Sequence, residues 1–393
     1  MAHVERRGQG RWRARYRGPD GRERSRTFTR RVDAEQFLAM VEVDKARGRW
    51  IDPALGKVKF HEWTDRWMAT TVHLKPKTQY DYRSLLRRHV IPRFGDLELI
   101  RIDRLAVRTW IADLEASGLS ASRIRQARQV LSSAMAAAVE SGFIAANPAS
   151  GVKVPRTRPK EKAFLTAEQV ELLADAIDER YAALVYLLAY GGLRWGEAIA
   201  VRRRRLDLRR SRVEVAESLA DVAGALHFGP TKTYERRTVV LPSFVRDQLA
   251  EHLSRHGTDD LQALVFRSPD GTPLRHSNFR RRVWVPAVRS ADVPEGLRIH
   301  DLRHTCAALL IAEGAHPKAI QEHLGHSSIT VTMDTYGHLF PSQMEELATR
   351  LGHTREEARQ RLLSSSVGGT HPKVISLRAR DSEPPNRTTA DPI

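Results

Sequence analysis

The stretch VKVPRTRPKEKAF (152–164) constrains this chain more than any other, because it is poorly suited to a packed core. Pro155 and Pro159 follow closely on Pro148, Lys and Arg crowd the rest, and no apolar periodicity is present. Prolines fix φ and remove backbone donors, so the segment reads as a stiff, extended connector. A chain of 393 residues divided in this way must build a separate core on each side. Upstream, TDRWMATTV, TQYDYRSLLRRHVIPRFG, DRLAVRTWIADLEASG and SASRIRQARQVLSSAMAAAVESG have helical spacing. Thr78 and Ser120 are the expected N-caps, and Gly95, Gly118 and Gly142 stand at segment ends. Pro92 is expected to end the second helix early. Downstream the pattern is mixed. LTAEQVELLADAI opens with a capping-box pair, Thr166 and Gln169. The apolar helix YAALVYLLAYGGL follows, then strand-like RVEVAE and RTVVLP, then helices to LATRLG.

The first residues follow a different rule. GRWRARYRGPDGRERSRTFTR (10–30) alternates on either side of a GPDG turn, which predicts a two-stranded hairpin. Trp12, Ala14 and Tyr16 share one face, and Arg11, Arg13, Arg15 and Arg17 the other. A helix that backs the sheet is expected over roughly 32–47, with Val32, Phe37, Leu38 and Val41 near helical spacing, and GRWIDPALG reads as a linker. The expected fold is therefore multidomain: a small β-sheet-plus-helix domain (1–55), an all-α domain (56–151), the connector (152–164), and a mixed α/β, mainly α, domain (165–350). A C-terminal segment (351–393) follows, whose Ser- and Pro-rich end has little to bury.

Charge narrows the partner. There are 65 Lys and Arg against 47 Asp and Glu, a formal net charge of +18. Residues 1–31 hold eleven Arg against three Asp or Glu, a net +8 in one short segment. Such an excess points to a polyanion, and a basic hairpin is suited to a DNA major groove. No apolar run approaches the roughly 18 residues of a membrane span, and the N-terminus lacks the apolar stretch of a secretory signal. The expectation is a cytoplasmic protein, in a bacterium on the strength of the Ala- and Arg-rich composition, bound to DNA when active. The single cysteine, Cys306, excludes an intramolecular disulfide and any multi-cysteine zinc module; its apolar surroundings predict a buried structural thiol.

Four segments of the last domain set polar groups beside apolar helices: GGLRWGE (191–197), GPTKTYERRTVVLP (229–242), IHDLRHTCA (299–307) and LGHSSITVTMDTYGH (324–338). Arg194 follows an apolar helix and needs a partner; Glu197, three residues on, can orient it. His300 and Arg303 share one side of a helix start. Lys232 lies in a polar stretch before a strand, as in a hairpin turn. Two arginines can clamp the non-bridging oxygens of a phosphodiester and stabilise its pentacoordinate transition state. A tyrosine hydroxyl, with an ordinary pKa of about 10, needs deprotonation to act as a nucleophile. Lysine can protonate a leaving oxygen, and histidines can move protons or hold phosphate. No metal and no cofactor are required by such a set. Spacing alone does not choose among the eight tyrosines.

Taken in order, GGLRWGE, TKT with RRTVVLP, HDLRHT, LGHSS and DTYGH resemble the tyrosine recombinase (phage integrase) family. The resemblance implies the catalytic set Arg194, Lys232, His300, Arg303 and His326, with Glu197 supporting and Tyr336 as nucleophile. KPKTQYDYRSLLRRHVIPRFG is similar to that family's core-DNA-binding domain, which implies DNA contacts for Lys75, Lys77 and Thr78. The hairpin at 10–30 is similar to the arm-site-binding domain, which implies contacts for Arg11, Arg13, Arg15 and Arg17. Also implied are a 3′-phosphotyrosine intermediate, a Holliday junction, a homo-tetramer on double-stranded attachment DNA, and partners such as an excision factor or a DNA-bending host protein. The segment 339–363 is the candidate for packing onto a neighbouring subunit. One departure is Arg203, where similar proteins often carry tryptophan; it reads either as an added phosphate contact or as a solvated face. Three other readings stand beside this one: a metal hydrolase using the histidines of HDLRH with His316, His323 and His326; a non-catalytic DNA-binding regulator; and, within the family, a chromosome-dimer resolvase (Xer-like) or transposon recombinase. The segment 1–50 favours an integrase of a phage or integrative element.

Overall fold

The computed structural model describes residues 2–8, 10–18, 21–46, 55–156, 163–231, 235–340 and 344–365. Lys232, parts of both expected connectors and the tail from 366 on lie outside the described residues. The chain divides into two units, 1–327 and 328–393.

The first unit opens with strands β1 (His3–Arg6), β2 (Trp12–Arg17) and β3 (Glu23–Phe28), in the antiparallel order β1-β2-β3. The sequence predicted only β2 and β3; β1 has one apolar residue, Val4, and so shows no alternation of its own. Its register is fixed by pairing, Val4 with Ala14 and Arg6 with Trp12. Helix α1 (Arg31–Ala46) covers one face, burying Ala34, Leu38 and Val41 against Ala14 and Tyr16. The other face carries Arg13, Arg15 and Arg17, as the alternation requires. Two carboxylates share it: Arg15 reaches Glu5 at 3.1 Å and Glu23 at 2.9 Å.

A second core is wholly helical: α2 (Phe60–Thr70), α3 (Pro76–Leu85), α4 (Ile91–Phe94), α5 (Arg104–Ala116) and α6 (Ala121–Glu140). Two of its buried indoles find a carbonyl, Trp63 on Ala134 at 2.8 Å and Trp110 on His89 at 3.0 Å. Two expectations fail here. Thr78 is not a cap: Lys75 is the N-cap and Pro76 takes the first helical position, where its missing N–H costs nothing. Pro92 does not end its helix. A π turn, Leu86–Val90, joins α3 to α4, and the Ile91 N–H bonds five residues back to Leu86. The extra residue in that turn absorbs the ring that would clash with the preceding turn. Ser120 does cap α6, accepting the Arg123 N–H.

The third core holds α7 (Ala167–Ala176), α8 (Glu179–Gly191), the short α9 (Trp195–Ala198), strands β4 (Leu206–Asp207), β5 (Arg212–Val215), β6 (Glu217–Val222), β7 (Ala225–Pro230) and β8 (Arg237–Val240), then α10 (Ser243–His256), α11 (His276–Phe279) and α12 (Val285–Ser290). Helices α13 (Asp301–Ala312) and α14 (Pro317–Leu324) complete this part of the unit. The capping box at Thr166 and Gln169 is formed. β5 and β8, both expected, pair in a sheet of order β4-β5-β8. The β6–β7 hairpin was not expected, because ESLADV and ALHFGP mix small and charged residues and bury few side chains. A second π turn, Arg280–Trp284, again stands just before a proline, Pro286. The 328–393 unit contains α15 (Ile329–Tyr336), capped by Ser328, and α16 (Met344–Ser365), which continues past the LATRLG where the apolar pattern ends. Among the described residues, no helix is long and apolar enough to cross a membrane.

Candidate active site

The apolar helix α8 ends in Gly192, whose φ of 63° is left-handed. A Cβ there would lie 2.5 Å from Leu324 Cδ2 and 2.9 Å from Cys306 Sγ, so only glycine both turns the chain and lets α13 and α14 close in. The freed Gly192 carbonyl accepts a hydrogen bond from Arg303 Nη1 at 2.6 Å. Arg303 is 3% exposed, an expensive place for a guanidinium, and α13 holds it there beside Cys306 and Thr305.

Arg194 caps α9. Its Nη1 donates to Glu197 Oε1 at 2.8 Å, while Glu197 Oε2 accepts the Arg194 backbone N–H at 3.0 Å. Glu197 is thus the partner expected for Arg194, an ion pair that also holds the guanidinium in place. The other arm, Nη2, reaches the Gly325 carbonyl at 3.2 Å, next to His326. Gly325 ends α14 with a left-handed φ of 69°. Glu197 is buried at 1% exposure and has a second partner, Arg237 of β8, at 2.7 Å. Sequence reasoning missed Arg237. The signal was present, since Arg237 shares its strand parity with the buried Val239, and a charge on a core-facing position needs a partner.

Arg194, Glu197, His300, Arg303 and His326 are thus brought together. Burial would raise the Glu197 carboxyl, but the Arg237 hydrogen bond and the charges of Arg237 and Arg194 outweigh it and hold the pKa at about 2. His326 is pushed down to about 4, first by burial and then by Arg303, Arg194, His304 and Arg237. His300, at the start of α13, is also lowered, by burial and by Arg303, with Asp301 opposing. Two neutral imidazoles beside two arginines make a positive pocket suited to an anion. Cys306 is a buried thiol, as expected, pushed up to about 12 by burial. Tyr336 lies in the 328–393 unit, as the last residue of α15, and is buried at 1% exposure.

The remaining site residues fall elsewhere. Lys75 Nζ donates to the Thr231 carbonyl at 2.7 Å, so it contacts the chain's own β7–β8 connection. Lys77 pairs with Asp81 at 2.7 Å, and Thr78 sits half-buried in the first turn of α3. Arg203 lies in a short 3-10 turn whose neighbours Arg202 and Arg205 are ion-paired to Glu217 and Glu214. Of the histidines a metal site would draw on, His316 caps α14 and His323 bonds the Tyr190 carbonyl. Among the described residues no three His, Cys, Asp or Glu side chains are grouped to hold a metal ion.

Three family models match in chain order: the phage integrase N-terminal domain over 3–47, its N-terminal SAM-like domain over 59–114, and the phage integrase family over 163–343. A putative prophage phiRv2 integrase of Mycobacterium tuberculosis is 30% identical over 359 residues, spanning 88% of this chain and 94% of the relative. The chain belongs to the phage integrase family. It is a tyrosine recombinase, an enzyme of DNA strand exchange. The integrase of Mycobacterium phage D29 is similar at 30% identity, covering 86% of this chain and 90% of its own, and the ICEBs1 integrase of Bacillus subtilis at 28%, covering 70% and 78%. The fold matches the Tn1549 transposon integrase in complex with a circular intermediate DNA (TM-score 0.64, 21% identity, 71% of this chain and 95% of that one). It also matches a lambda integrase tetramer bound to a Holliday junction (TM-score 0.56, 19% identity, 84% and 94%).

Proposed function

We propose that this recombinase is the integrase of a phage or integrative element, with Arg194 and Arg303 clamping the scissile phosphate and Tyr336 attacking it. The observation that carries this reading is the positive pocket: two arginines beside two histidines whose protonation burial, and then the same charges, suppress. Such a pocket binds a phosphodiester and stabilises the charge that grows on its non-bridging oxygens. The Tyr336 oxygen forms a bond to phosphorus as the bond to the 5′-oxygen breaks. The phenol proton passes to a neutral imidazole, His300 or His326, and Lys232 supplies the proton taken by the 5′-oxygen. The 5′-hydroxyl of a partner strand then attacks the 3′-phosphotyrosine, its proton returning to Lys232, and the bond to Tyr336 breaks as the imidazolium returns a proton to the phenol oxygen. Bond energy stays in the covalent link, so no ATP enters the cycle, and the two arginines supply the positive charge a metal would otherwise provide.

The domains divide the DNA between them. The arm domain (1–55) takes accessory sites through Arg11, Arg13, Arg15 and Arg17, and the helical domain (56–151) takes the core site with Lys75, Lys77 and Thr78 at its edge. A tetramer on a Holliday junction, α16 packing onto a neighbour, help from an excision or DNA-bending factor, and a cytoplasmic location follow from the same reading. The test is recombination between two plasmid-borne copies of the attachment core that flanks the gene, in excess EDTA and without nucleotide. Recombinant product is expected. Binding without any recombination, or recombination only with added metal, would reject the reading.

A further inference from the structure

We propose that Arg237 is a positioning residue that joins three motifs of the active site into one frame and so fixes the guanidinium of Arg194 for the phosphate. The inference rests on the phosphate-binding role of Arg194 proposed above. From β8, Arg237 donates Nη2 to Glu197 Oε2 at 2.7 Å and Nε to the His323 carbonyl at 3.2 Å. It lies over Gly325, where a Cβ would come within 2.9 Å of its Cδ and 3.0 Å of its Nε and Nη1. The left-handed glycine that ends α14 therefore also makes room for this guanidinium. The side chain is 11% exposed. Strand β8, the α9 turn and the end of α14 that carries His326 thus meet on one planar, forked group, a geometry lysine cannot reproduce.

Arg237 acts through Glu197. Glu197 Oε2 accepts from both Arg237 and the Arg194 backbone, and Oε1 accepts from the Arg194 side chain. The other charged groups near Glu197 are committed. Arg205, Glu214 and Glu217 share a narrow cavity with it, and pair as Arg205–Glu214 and Glu217–Arg202. His323 and His326, on the α14 side, are both lowered, by burial first. Burial pushes Glu197 toward its neutral form, and the Arg237 hydrogen bond leads the influences that oppose it. Without Arg237, burial has less opposition and the carboxyl takes up a proton at a higher pH. A protonated Glu197 cannot accept both N–H groups of Arg194, so the clamp loosens.

The experiment uses the full chain and a nicked duplex carrying the attachment core beside the gene. It follows covalent adduct formation from pH 6 to 9, with DNA affinity measured alongside. Arg237→Gln should lower the adduct rate about 100-fold at pH 7 and recover much of it toward pH 9, with DNA affinity within about twofold of wild type. Arg237→Lys keeps the charge but not the fork, and should lose about tenfold without the new pH dependence. An equal loss by Arg237→Gln at every pH, or wild-type cleavage by either variant, would overturn the proposal. If Arg237→Gln does not fold, Arg237→Lys decides: slower cleavage with retained DNA affinity supports the frame, and an unchanged rate refutes it. Failure of the wild type to form any adduct would instead count against the proposed function.

Discussion

Replacing Glu197 by glutamine keeps the shape of the side chain and removes the charge between two arginines. In the folded chain the carboxyl is held at about 2, against an ordinary 4.5, with two ion pairs to Arg194 and Arg237. A difference of that size corresponds to about 3 kcal/mol of stability at neutral pH. The figure agrees with the about 3–5 kcal/mol generally lost when one partner of a buried pair is removed. The folded pKa lies below the unfolded one, so the stabilisation is complete above about pH 5 and fades as pH falls toward 2. About two-thirds of it should be gone at about pH 3. Urea denaturation followed by near-ultraviolet circular dichroism, on wild type and Glu197→Gln in parallel, measures this directly. The expected gap is about 3 kcal/mol at pH 7 and about 1 kcal/mol at pH 3. A gap that stays constant over that range would show that the stabilisation comes from packing and not from the charge.

Other outcomes follow from neighbouring residues. Gly192→Ala combines a left-handed φ with contacts of 2.5 Å and 2.9 Å to Leu324 and Cys306, and should cost about 2–4 kcal/mol in thermal melts. Cys306, pushed up to about 12 by burial, should resist iodoacetamide in the native chain at pH 8 and react only on unfolding; rapid native labelling would contradict its burial. His326 is neutral down to about pH 4 when folded but titrates near 6.5 when unfolded, so the folded chain loses stability as pH falls from about 6.5 to 4. His326→Gln should lose less over that window in the same denaturation assay.

The elements with strong local signals were legible in the sequence. Alternation placed Ala14 and Tyr16 under the helix, and Ser120, Thr166 and Gln169 cap where their side chains can reach a backbone N–H. Elements fixed by partners were not legible. β1 exists because β2 pairs with it, and the β6–β7 hairpin buries little that a periodicity could show. Pro92 misled because a proline's cost depends on the preceding turn, and a π turn removes the clash. The grouping of Arg194, Glu197, His300, Arg303 and His326 matches the motif order, since each stands beside an apolar helix that fixes it. Arg237 went unnoticed although its strand parity with the buried Val239 sets it on the core side of β8 and Arg236 on the other. What parity does not give is the partner: Arg236 is left largely in solvent, and Arg237 meets Glu197.

The claim on which the rest depends is that Tyr336 makes the covalent bond to DNA. The direct measurement traps the adduct on a nicked attachment-core duplex in EDTA, digests protein and DNA, and maps the modified peptide by mass spectrometry. A phosphotyrosine at Tyr336, absent from Tyr336→Phe, is the predicted result. An adduct on any other residue, or one that persists in Tyr336→Phe, would contradict it.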